Sequence, residues 1–292
     1  MPLSDQAFVS AMMSQAQNWS GFSALFDALG TLRLAGRNAM LVVAHPDDET
    51  IGIGGHLSLL EGITVVLVTD GAPLSLHDAR AHGFATRHDY ARARRRELEA
   101  AMAEAGVPPQ ALVGLGIPDQ EAARQLPALS RTLAALFRGH DTRLVFTHSY
   151  EGGHPDHDAA CLAVHAACRL VGAHGRIPPV LIEMPYYHAG PSGMVAQRFT
   201  LEPIIADIVL PLDDRSWALK RRMLARHETQ QQTLAVFASQ VERFRQAPSY
   251  DFNVLPNGGS LYYERLPWSF DGNDWRRLAQ AAMNELGFAT WG

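Results

Sequence analysis

Short runs of consecutive apolar residues alternate with longer segments of helical spacing along most of the chain. The apolar runs lie at 40–44, 64–69, 111–115, 144–147, 180–184 and 204–210. The first run, 40–44, is unbroken and the others are mostly apolar, as is typical of parallel strands that are buried on both faces. Between them, apolar residues recur every three or four positions, which predicts helices over 54–61, 87–105, 126–138, 158–171 and 216–237. The alternation predicts an α/β fold with a doubly wound, mostly parallel sheet.

The sequence shows no break that would divide it into separate domains. It has no internal repeat, no low-complexity segment and no long linker. We therefore expect a single domain over 1–292 with a Rossmann-like, three-layer α/β/α core at about 38–237. A helical extension is expected at about 1–37, and a less regular C-terminal addition at about 238–292.

Composition narrows the classes of partner only a little. The chain is 47% hydrophobic and 19% charged, as is usual for a soluble globular protein. Its net charge of −5 gives no general attraction to nucleic acid or to an anionic membrane, which favours a small-molecule or sugar substrate.

We interpret Cys161 and Cys168, seven residues apart in one apolar helical segment, as core thiols.

The sequence also bears on where the protein works. No apolar stretch approaches the roughly 18 residues of a membrane helix. The N-terminus lacks a basic flank followed by an apolar run and a cleavage site. We therefore expect a cytoplasmic protein without a transmembrane segment, and the sequence leaves homo-oligomer formation open.

Acidic and histidine side chains cluster where three predicted strands end. The first strand is followed by residues 45–49, His-Pro-Asp-Asp-Glu, and the second by Asp70-Gly71. The loop after the strand at 144–147 closes with residues 154–158, His-Pro-Asp-His-Asp. Ligands of an open parallel sheet bind beyond the carboxyl ends of its strands, so these clusters are predicted to face one crevice. So many acidic and imidazole groups in one place favour a bound cation.

Zinc suits such a site best, because it binds imidazole nitrogen and carboxylate oxygen and keeps one position open for water. His45, Asp48 and His157 are the predicted ligands. Asp47 is then free to take a proton from the water, whose pKa the metal lowers to roughly 7. A protonated His154 would stabilise the oxyanion of an attacked amide carbonyl, and Asp156 could orient or charge His154.

The two clusters together resemble a known family. Ala-His-Pro-Asp-Asp-Glu at 44–49, followed about a hundred residues later by Gly-His-Pro-Asp-His at 153–157, is similar to the PIG-L / LmbE-like zinc N-deacetylases. Those enzymes remove acetyl groups from N-acetylglucosamine units of glycoconjugates. The likeness spans about 40–232 and includes further matching positions at Thr69-Asp70-Gly71, Arg94-x-x-Glu97, Gly116-x-Pro-Asp119, Lys220, His227 and Gln230.

The resemblance implies a role for individual residues. It implies one zinc ion per chain, with another divalent metal left open, bound by His45, Asp48 and His157. It also implies Asp47 as general base and His154 as the oxyanion or acid group. Substrate contacts are implied for Arg94, Asp119 and His227. Some members carry a tyrosine where this chain has Gly152, so Tyr150 or a residue of the segment 185–188 would have to replace it.

Other interpretations of these residues carry less weight. The glycines at 52, 54 and 55 resemble a dinucleotide-binding fingerprint, but Leu57 replaces the last glycine and the acidic cluster would repel a pyrophosphate. Glu49 fits either a helix N-terminus or a partner of a ligand histidine. Core packing is favoured over sugar stacking for the four C-terminal aromatic residues Tyr262, Tyr263, Trp268 and Trp275.

The sequence thus predicts a zinc-dependent hydrolase that removes an N-acetyl group from an amino sugar or a glycoconjugate. One alternative is a zinc amidase that acts on a non-sugar N-acyl small molecule. A more distant alternative is a nucleotide-binding or ligand-binding module without turnover.

Overall fold

The computed structural model describes residues 37–291. The helical extension expected at about 1–37 therefore lies outside the described residues, except for its last position. Within the described range, no helix is both long enough and apolar enough to cross a membrane.

Seven strands of the described chain form one sheet in the order β3–β2–β1–β4–β5–β9–β8. The five neighbours from β3 to β5 are parallel, whereas β9 runs antiparallel to β5 and β8 antiparallel to β9. A separate antiparallel hairpin is formed by β6 and β7. The strands are β1 (Ala39–Val43), β2 (Thr64–Pro73), β3 (Leu112–Asp119), β4 (Leu144–His148), β5 (Val180–Met184), β6 (Tyr187–Gly190), β7 (Gly193–Ala196), β8 (Ile208–Pro211) and β9 (Val241–Gln246).

Helices cover both faces of the sheet and complete the three layers. The α-helices are α1 (Asp48–Ile53), α2 (His77–Ala81), α3 (Arg87–Glu104), α4 (Leu126–Gly139), α5 (Pro155–Ala173), α6 (Asp214–Arg226), α7 (Gln231–Leu234) and α8 (Gly272–Leu286). Short 3₁₀ turns lie at Leu57–Leu59, Pro109–Ala111, Ala122–Gln125, Glu228–Gln230, Ala235–Phe237, Asn257–Gly259 and Tyr263–Arg265.

The alternating side chains of β1 explain why its sequence is apolar throughout. Leu41 and Val43 point into one core, which also contains side chains of α3 and α6. Met40 and Val42 point into the other, which contains side chains of α4, α5 and α8. A strand buried on both faces needs an apolar residue at every position. The predicted three-layer α/β fold with a mostly parallel sheet is therefore confirmed.

Several element boundaries differ from the prediction close to the site. The helix expected over 54–61 is instead α1, which begins within the acidic cluster at Asp48 and ends at Ile53. The strand expected to stop before Asp70-Gly71 continues to Pro73, because β2 stays paired with β3 through two register shifts. Gly71 accommodates this irregular stretch with φ of 69°.

The C-terminal part is more regular than the sequence suggested. The helix expected over 216–237 ends at Arg226, because His227 leaves the helical conformation and turns its ring into the interior. The strand expected over 204–210 is the short β8. The supposedly irregular addition contains β9 and α8, and α8 is capped by the Asp271 side chain and by Gly287 at φ 76°. Both cysteines are free and buried, as predicted.

Candidate metal centre and active site

Four parallel strands, β3, β2, β1 and β4, end at the same edge of the sheet. His45 lies just beyond β1, Asp119 ends β3, and His148 ends β4. The loop after β4 leads to His154 and then into α5, so that the clusters at 45–49 and 154–158 face each other. The fold thus brings together side chains that are more than a hundred residues apart in sequence.

Ligand-type atoms of three side chains converge at the centre of this edge. His45 Nδ1 lies 3.2 Å from His157 Nε2 and 3.3 Å from Asp48 Oδ2. His157 Nε2 lies 3.4 Å from Asp48 Oδ1. All three side chains are buried, with exposed fractions of 7%, 2% and 3% for His45, Asp48 and His157. These residues form one of the groups in the described chain whose atoms could share a metal ion.

The spacing of these atoms fits a tetrahedral zinc ion. Zinc bonds of about 2.0–2.1 Å place neighbouring ligand atoms roughly 3.4 Å apart. The separations here are 3.2, 3.3 and 3.4 Å. Two neutral imidazoles and one carboxylate form a donor set that leaves a fourth position for water or substrate. The donor set and its spacing therefore fit zinc.

The orientation of His45 is set by two carboxylates on its far side. His45 Nε2 lies 3.2 Å from Asp119 Oδ1 and 3.3 Å from Asp156 Oδ2. Because carboxylates accept hydrogen bonds, the ring proton is placed on Nε2 and Nδ1 keeps its lone pair. A carboxylate behind a histidine ligand fixes its tautomer and raises its basicity.

The Asp48 carboxylate is held from several sides. Its Oδ2 accepts the backbone N–H of His45 at 2.8 Å. Burial opposes its ionisation, but the facing imidazoles of His157 and His148 hold the pKa of Asp48 well below the ordinary value. The Tyr186 hydroxyl donates to the Asp48 backbone carbonyl at 3.1 Å. Asp48 is therefore held as a carboxylate anion that could bind a cation.

His148 also lies in this centre, although neither of the two sequence clusters includes it. Its Nε2 accepts the backbone N–H of Ala44 at 2.8 Å and lies 3.5 Å from Asp48 Oδ2. Its ring stacks on that of His157, with 4.2 Å between centroids. The sequence signal for this placement was its position at the end of a predicted strand, because the residues of the site follow strand ends at this edge.

The Asp47 side chain, unlike that of Asp48, contacts Arg94 and not the converging ligand-type atoms. Its Oδ2 accepts a hydrogen bond from Arg94 Nη2 at 2.9 Å, and both side chains line the cleft. Burial raises the pKa of Asp47 to about 7, against the lowering effect of the Arg94 guanidinium. Arg94 itself is fixed by the backbone carbonyls of Gly71 and Pro46, at 2.5 and 3.2 Å.

His227 does not occupy the substrate-facing position expected for it. It is fully buried behind the site, where its Nε2 lies 3.2 Å from Thr50 Oγ1 and 3.3 Å from Glu49 Oε1. Glu49 in turn accepts the backbone N–H of Asp47 at 3.0 Å. The substrate-contact prediction for His227 is therefore wrong. Glu49 pairs with His227 and the Asp47 backbone, and not with a ligand histidine.

His154 differs from the two predictions made for it, which were orientation by the Asp156 carboxylate and a protonated ring. The Asp156 carboxylate does not orient His154; it contacts His45 and accepts the backbone N–H groups of Gln120 and Ala122, at 2.6 and 3.0 Å. The backbone N–H of Asp156 instead donates to His154 Nδ1 at 3.0 Å. Burial and the neighbouring His45 lower the pKa of His154, which favours a neutral ring and not the protonated one expected. Its proton then lies on Nε2.

The loop that carries His154 is fixed by buried carboxylates. Glu151 accepts the backbone N–H groups of Tyr186 and Tyr187, at 2.8 and 3.0 Å. Gly153 is required at its position, because a Cβ there would lie 1.9 Å from the Tyr187 carbonyl oxygen. Because Gly153 has no side chain, the loop can lie directly against the segment that follows β5.

A cleft of about 480 Å³ opens onto the converging atoms. Its polar lining includes the sequence-predicted residues Arg94 and Asp119, together with Asp78, Gln120 and Gln230. Its apolar and aromatic lining, which we call the apolar wall, consists of Tyr187, Met194, Val236, Phe237, Tyr262, Leu266 and Trp268.

Aromatic residues divide between the core and this cleft. Tyr263 and Trp275 are buried in the core, as predicted, whereas Tyr262 and Trp268 line the cleft. Tyr150 lies away from the cleft, and its hydroxyl donates to the Val254 backbone carbonyl at 3.0 Å. Tyr186 and Tyr187 line the cleft, so the segment 185–188 supplies tyrosines there.

The central part of the chain matches a family model described as PIG-L, GlcNAc-PI de-N-acetylase. The matched stretch is residues 40–168. This stretch runs from β1 into α5 and contains the three converging ligand residues. The match confirms the family resemblance that the two clusters indicated.

Individual relatives of this domain are distant in sequence. The 1D-myo-inositol 2-acetamido-2-deoxy-alpha-D-glucopyranoside deacetylase 2 of Catenulispora acidiphila is 27% identical over 206 residues, which cover 60% of this chain and 67% of the relative.

Solved structures share the fold. The A40926 pseudoaglycone deacetylase has a TM-score of 0.52 at 20% identity, covering 68% of this chain and 84% of that one. A triple mutant of a deacetylase from the teicoplanin biosynthetic pathway has a TM-score of 0.54 at 18% identity, covering 71% of this chain and 96% of the other.

Proposed function

We propose that this protein is a zinc-dependent N-deacetylase that hydrolyses the amide of an N-acetylated amino sugar or of a conjugate that contains one. The convergence of His45 Nδ1, the Asp48 carboxylate and His157 Nε2 within 3.2–3.4 Å of one another carries the proposal. The PIG-L family domain over 40–168 and the relative from Catenulispora acidiphila, which is named as an acetamido-sugar deacetylase, support the substrate class.

His45, Asp48 and His157 would hold the ion. When bound, zinc polarises the amide carbonyl and lowers the pKa of water to roughly 7. Asp119 and Asp156 keep the His45 ring turned so that Nδ1 faces the site. The buried position of all three ligands excludes other waters from their far side.

Asp47 is the proposed general base. It lines the cleft beside the ligand residues, and its Arg94 hydrogen bond fixes one carboxylate oxygen in place. A carboxylate in this position can accept the proton of the attacking water and then deliver it to the departing amine nitrogen. Arg94 is the residue that positions it, and it also lines the cleft toward the substrate.

His154 is the proposed oxyanion donor. Its Nδ1 accepts the Asp156 backbone N–H, so the Nε2–H of the neutral ring is on the cleft side, where it lies 3.6 Å from Asp119 Oδ1. A preoriented donor of this kind stabilises the negative charge that develops on the carbonyl oxygen. We propose Asp119, which lines the same cleft, as a further contact of the substrate.

A deacetylation screen with parallel metal analysis tests this function. The purified protein is assayed for acetate release from a panel of N-acetylglucosamine conjugates, while bound zinc is measured by atomic emission. About one zinc per chain together with acetate release is the expected result. His157→Ala should abolish both, and the surface variant His88→Ala should change neither.

Two outcomes would contradict the proposal. Acetate release only from non-sugar N-acetyl compounds would make the protein an amidase of another substrate class. A protein that binds no divalent metal at any tested concentration would leave a ligand-binding module as the remaining interpretation.

A further inference from the structure

Asp47 stands at the N-cap position of α1, the helix that begins at Asp48. An aspartate at this position usually turns its carboxylate back and accepts an N–H group of the first helical turn. The Asp47 side chain makes no capping hydrogen bond within the described chain. Its carboxylate turns to Arg94, whose Nη2 donates at 2.9 Å. Another group therefore has to fix the backbone where α1 begins.

Glu49 makes that contact. Its Oε2 accepts the backbone N–H of Asp47 at 3.0 Å, and the same N–H also lies 3.0 Å from the His45 carbonyl oxygen. In a capping box, too, a glutamate of the first turn reaches back to the N–H of the N-cap residue. With the backbone held in this way, the Asp47 carboxylate is not needed for capping and can face the cleft.

The Glu49 carboxylate is held in turn by two donors behind it. The side chain is fully buried, and its Oε1 accepts the Thr50 hydroxyl at 2.8 Å. His227 Nε2 lies 3.3 Å from the same oxygen and 3.2 Å from Thr50 Oγ1. Since the Thr50 hydroxyl donates to Glu49, the ring proton of His227 is placed on Nε2. A buried carboxylate with several donors is rigid, because each change of its position leaves a donor unpaired.

We propose that Glu49 and, behind it, His227 are positioning residues for Asp47. The inference rests on the proposed deacetylase function, in which Asp47 is the base. Arg94 holds the carboxylate of that base, and Glu49 holds its backbone. Neither Glu49 nor His227 is among the residues that line the cleft, so both act through Asp47 without contact to the substrate.

Two substitutions of Glu49 test this role with any N-acetyl compound that the protein deacetylates. Glu49→Ala should lower kcat about 10–10²-fold, because a misplacement of about 1 Å can cost that much. Glu49→Gln keeps an oxygen that can accept the Asp47 N–H, so its kcat should stay within about threefold of the original. KM and bound zinc should change in neither variant, since cleft lining and ligand atoms are kept.

A matched pair of variants tests the contribution of His227. His227→Ala leaves Glu49 with two donors, so kcat should fall by less, about three- to tenfold. Tyr250→Phe is the control, because it also removes one donor, at 2.9 Å, from a fully buried carboxylate, that of Glu183. Tyr250 and Glu183 lie outside the cleft, and this variant should keep its kcat.

A double variant separates positioning of the base from general support of the fold. In the Asp47→Asn background, Glu49→Ala should change kcat by no more than about twofold, because the base it positions is already gone. The same loss in both backgrounds would overturn the inference. If Glu49→Ala does not fold, His227→Ala in the two backgrounds decides the question in the same way.

Crystal structures of the two Glu49 variants give a readout that needs no substrate. In Glu49→Ala, the Asp47 carboxylate should leave Arg94 and accept a backbone N–H of α1, whereas in Glu49→Gln it should stay. An unmoved Asp47 side chain in Glu49→Ala would overturn the inference while leaving deacetylation intact. If no compound is deacetylated, the proposed function fails, and the two structures alone decide for or against this anchor.

Discussion

Lys220, the single lysine of the chain, offers a sharp test of how the helix that begins at the proposed ligand Asp48 is supported. Its Nζ is fully buried and donates to Glu242 Oε1 and to the Ile51 carbonyl, both at 2.8 Å. Ile51 lies in α1, the helix that begins with the ligand Asp48. The contact therefore ties α6 and β9 to the element that carries a metal ligand.

Replacing Lys220 with methionine keeps most of the volume and removes the charge. Loss of one partner of a buried ion pair typically costs about 3–5 kcal/mol. Glu242 retains two partners, the Gly55 N–H at 2.8 Å and His56 Nδ1 at 2.6 Å, so the lower end of this range applies. We expect Lys220→Met to lower the free energy of unfolding by about 3 kcal/mol.

Urea unfolding followed by circular dichroism measures this loss. The control is Arg277→Met, which removes an ion pair with Asp274 of nearly equal length, 2.9 Å, but with the arginine side chain 62% exposed. Such a surface pair is worth less than about 1 kcal/mol. The double variant Lys220→Met/Glu242→Gln should recover part of the loss, because it removes the unpaired charge as well. Equal losses in the Lys220 and Arg277 variants would refute the reasoning.

Three further predictions concern the site and the core. Asp47→Asn should keep its zinc, measured by atomic emission, while kcat falls about 10²–10⁴-fold, the usual contribution of a general base. His157→Ala should lose zinc affinity, measured by competition with a chromogenic chelator, because one of three ligands is removed. Burial lowers the pKa of His165 to about 4, so its neutral form is favoured in the folded state. Unfolding free energy should therefore fall by up to about 3 kcal/mol between pH 6.5 and 4, and His165→Leu should weaken that dependence.

Each of these has a result that would contradict it. Full activity of Asp47→Asn would assign the base to another residue, and the exposed variant Asp274→Asn serves as its control. Unchanged zinc affinity in His157→Ala would mean that the ligand set is different. An identical pH dependence of stability with and without His165 would show that its imidazole is protonated as easily in the folded chain as in the unfolded one.

The sheet and the two clusters could be predicted because their causes are local in the sequence. A strand buried on both faces is mostly apolar, and β1, β4 and β5 were found within a residue or so of their bounds for that reason, although β5 also contains the buried Glu183. The signals for α8 were also present, since Asp271 and Gly287 stand at its two ends. They were missed because the surrounding aromatic residues hid the helical spacing.

Other features depend on contacts that spacing does not encode. A helix continuing to 237 was expected, but His227 ends it by turning inward to Glu49, a partner 178 residues earlier. The same contact removes His227 from the cleft. The role of Asp156 was reversed for a similar reason: only the folded loop shows that its backbone N–H, and not its carboxylate, meets His154.

The ligand-type residues and the apolar wall of the cleft come from different lengths of chain. The ligand-type residues lie between 45 and 157, and those of the apolar wall between 187 and 268. The later segment also holds the earlier one in place, since Lys220 contacts Ile51 and His227 contacts Glu49. Chimeras that exchange the later segment but keep these two residues would present a different apolar wall to the same ligand-type residues.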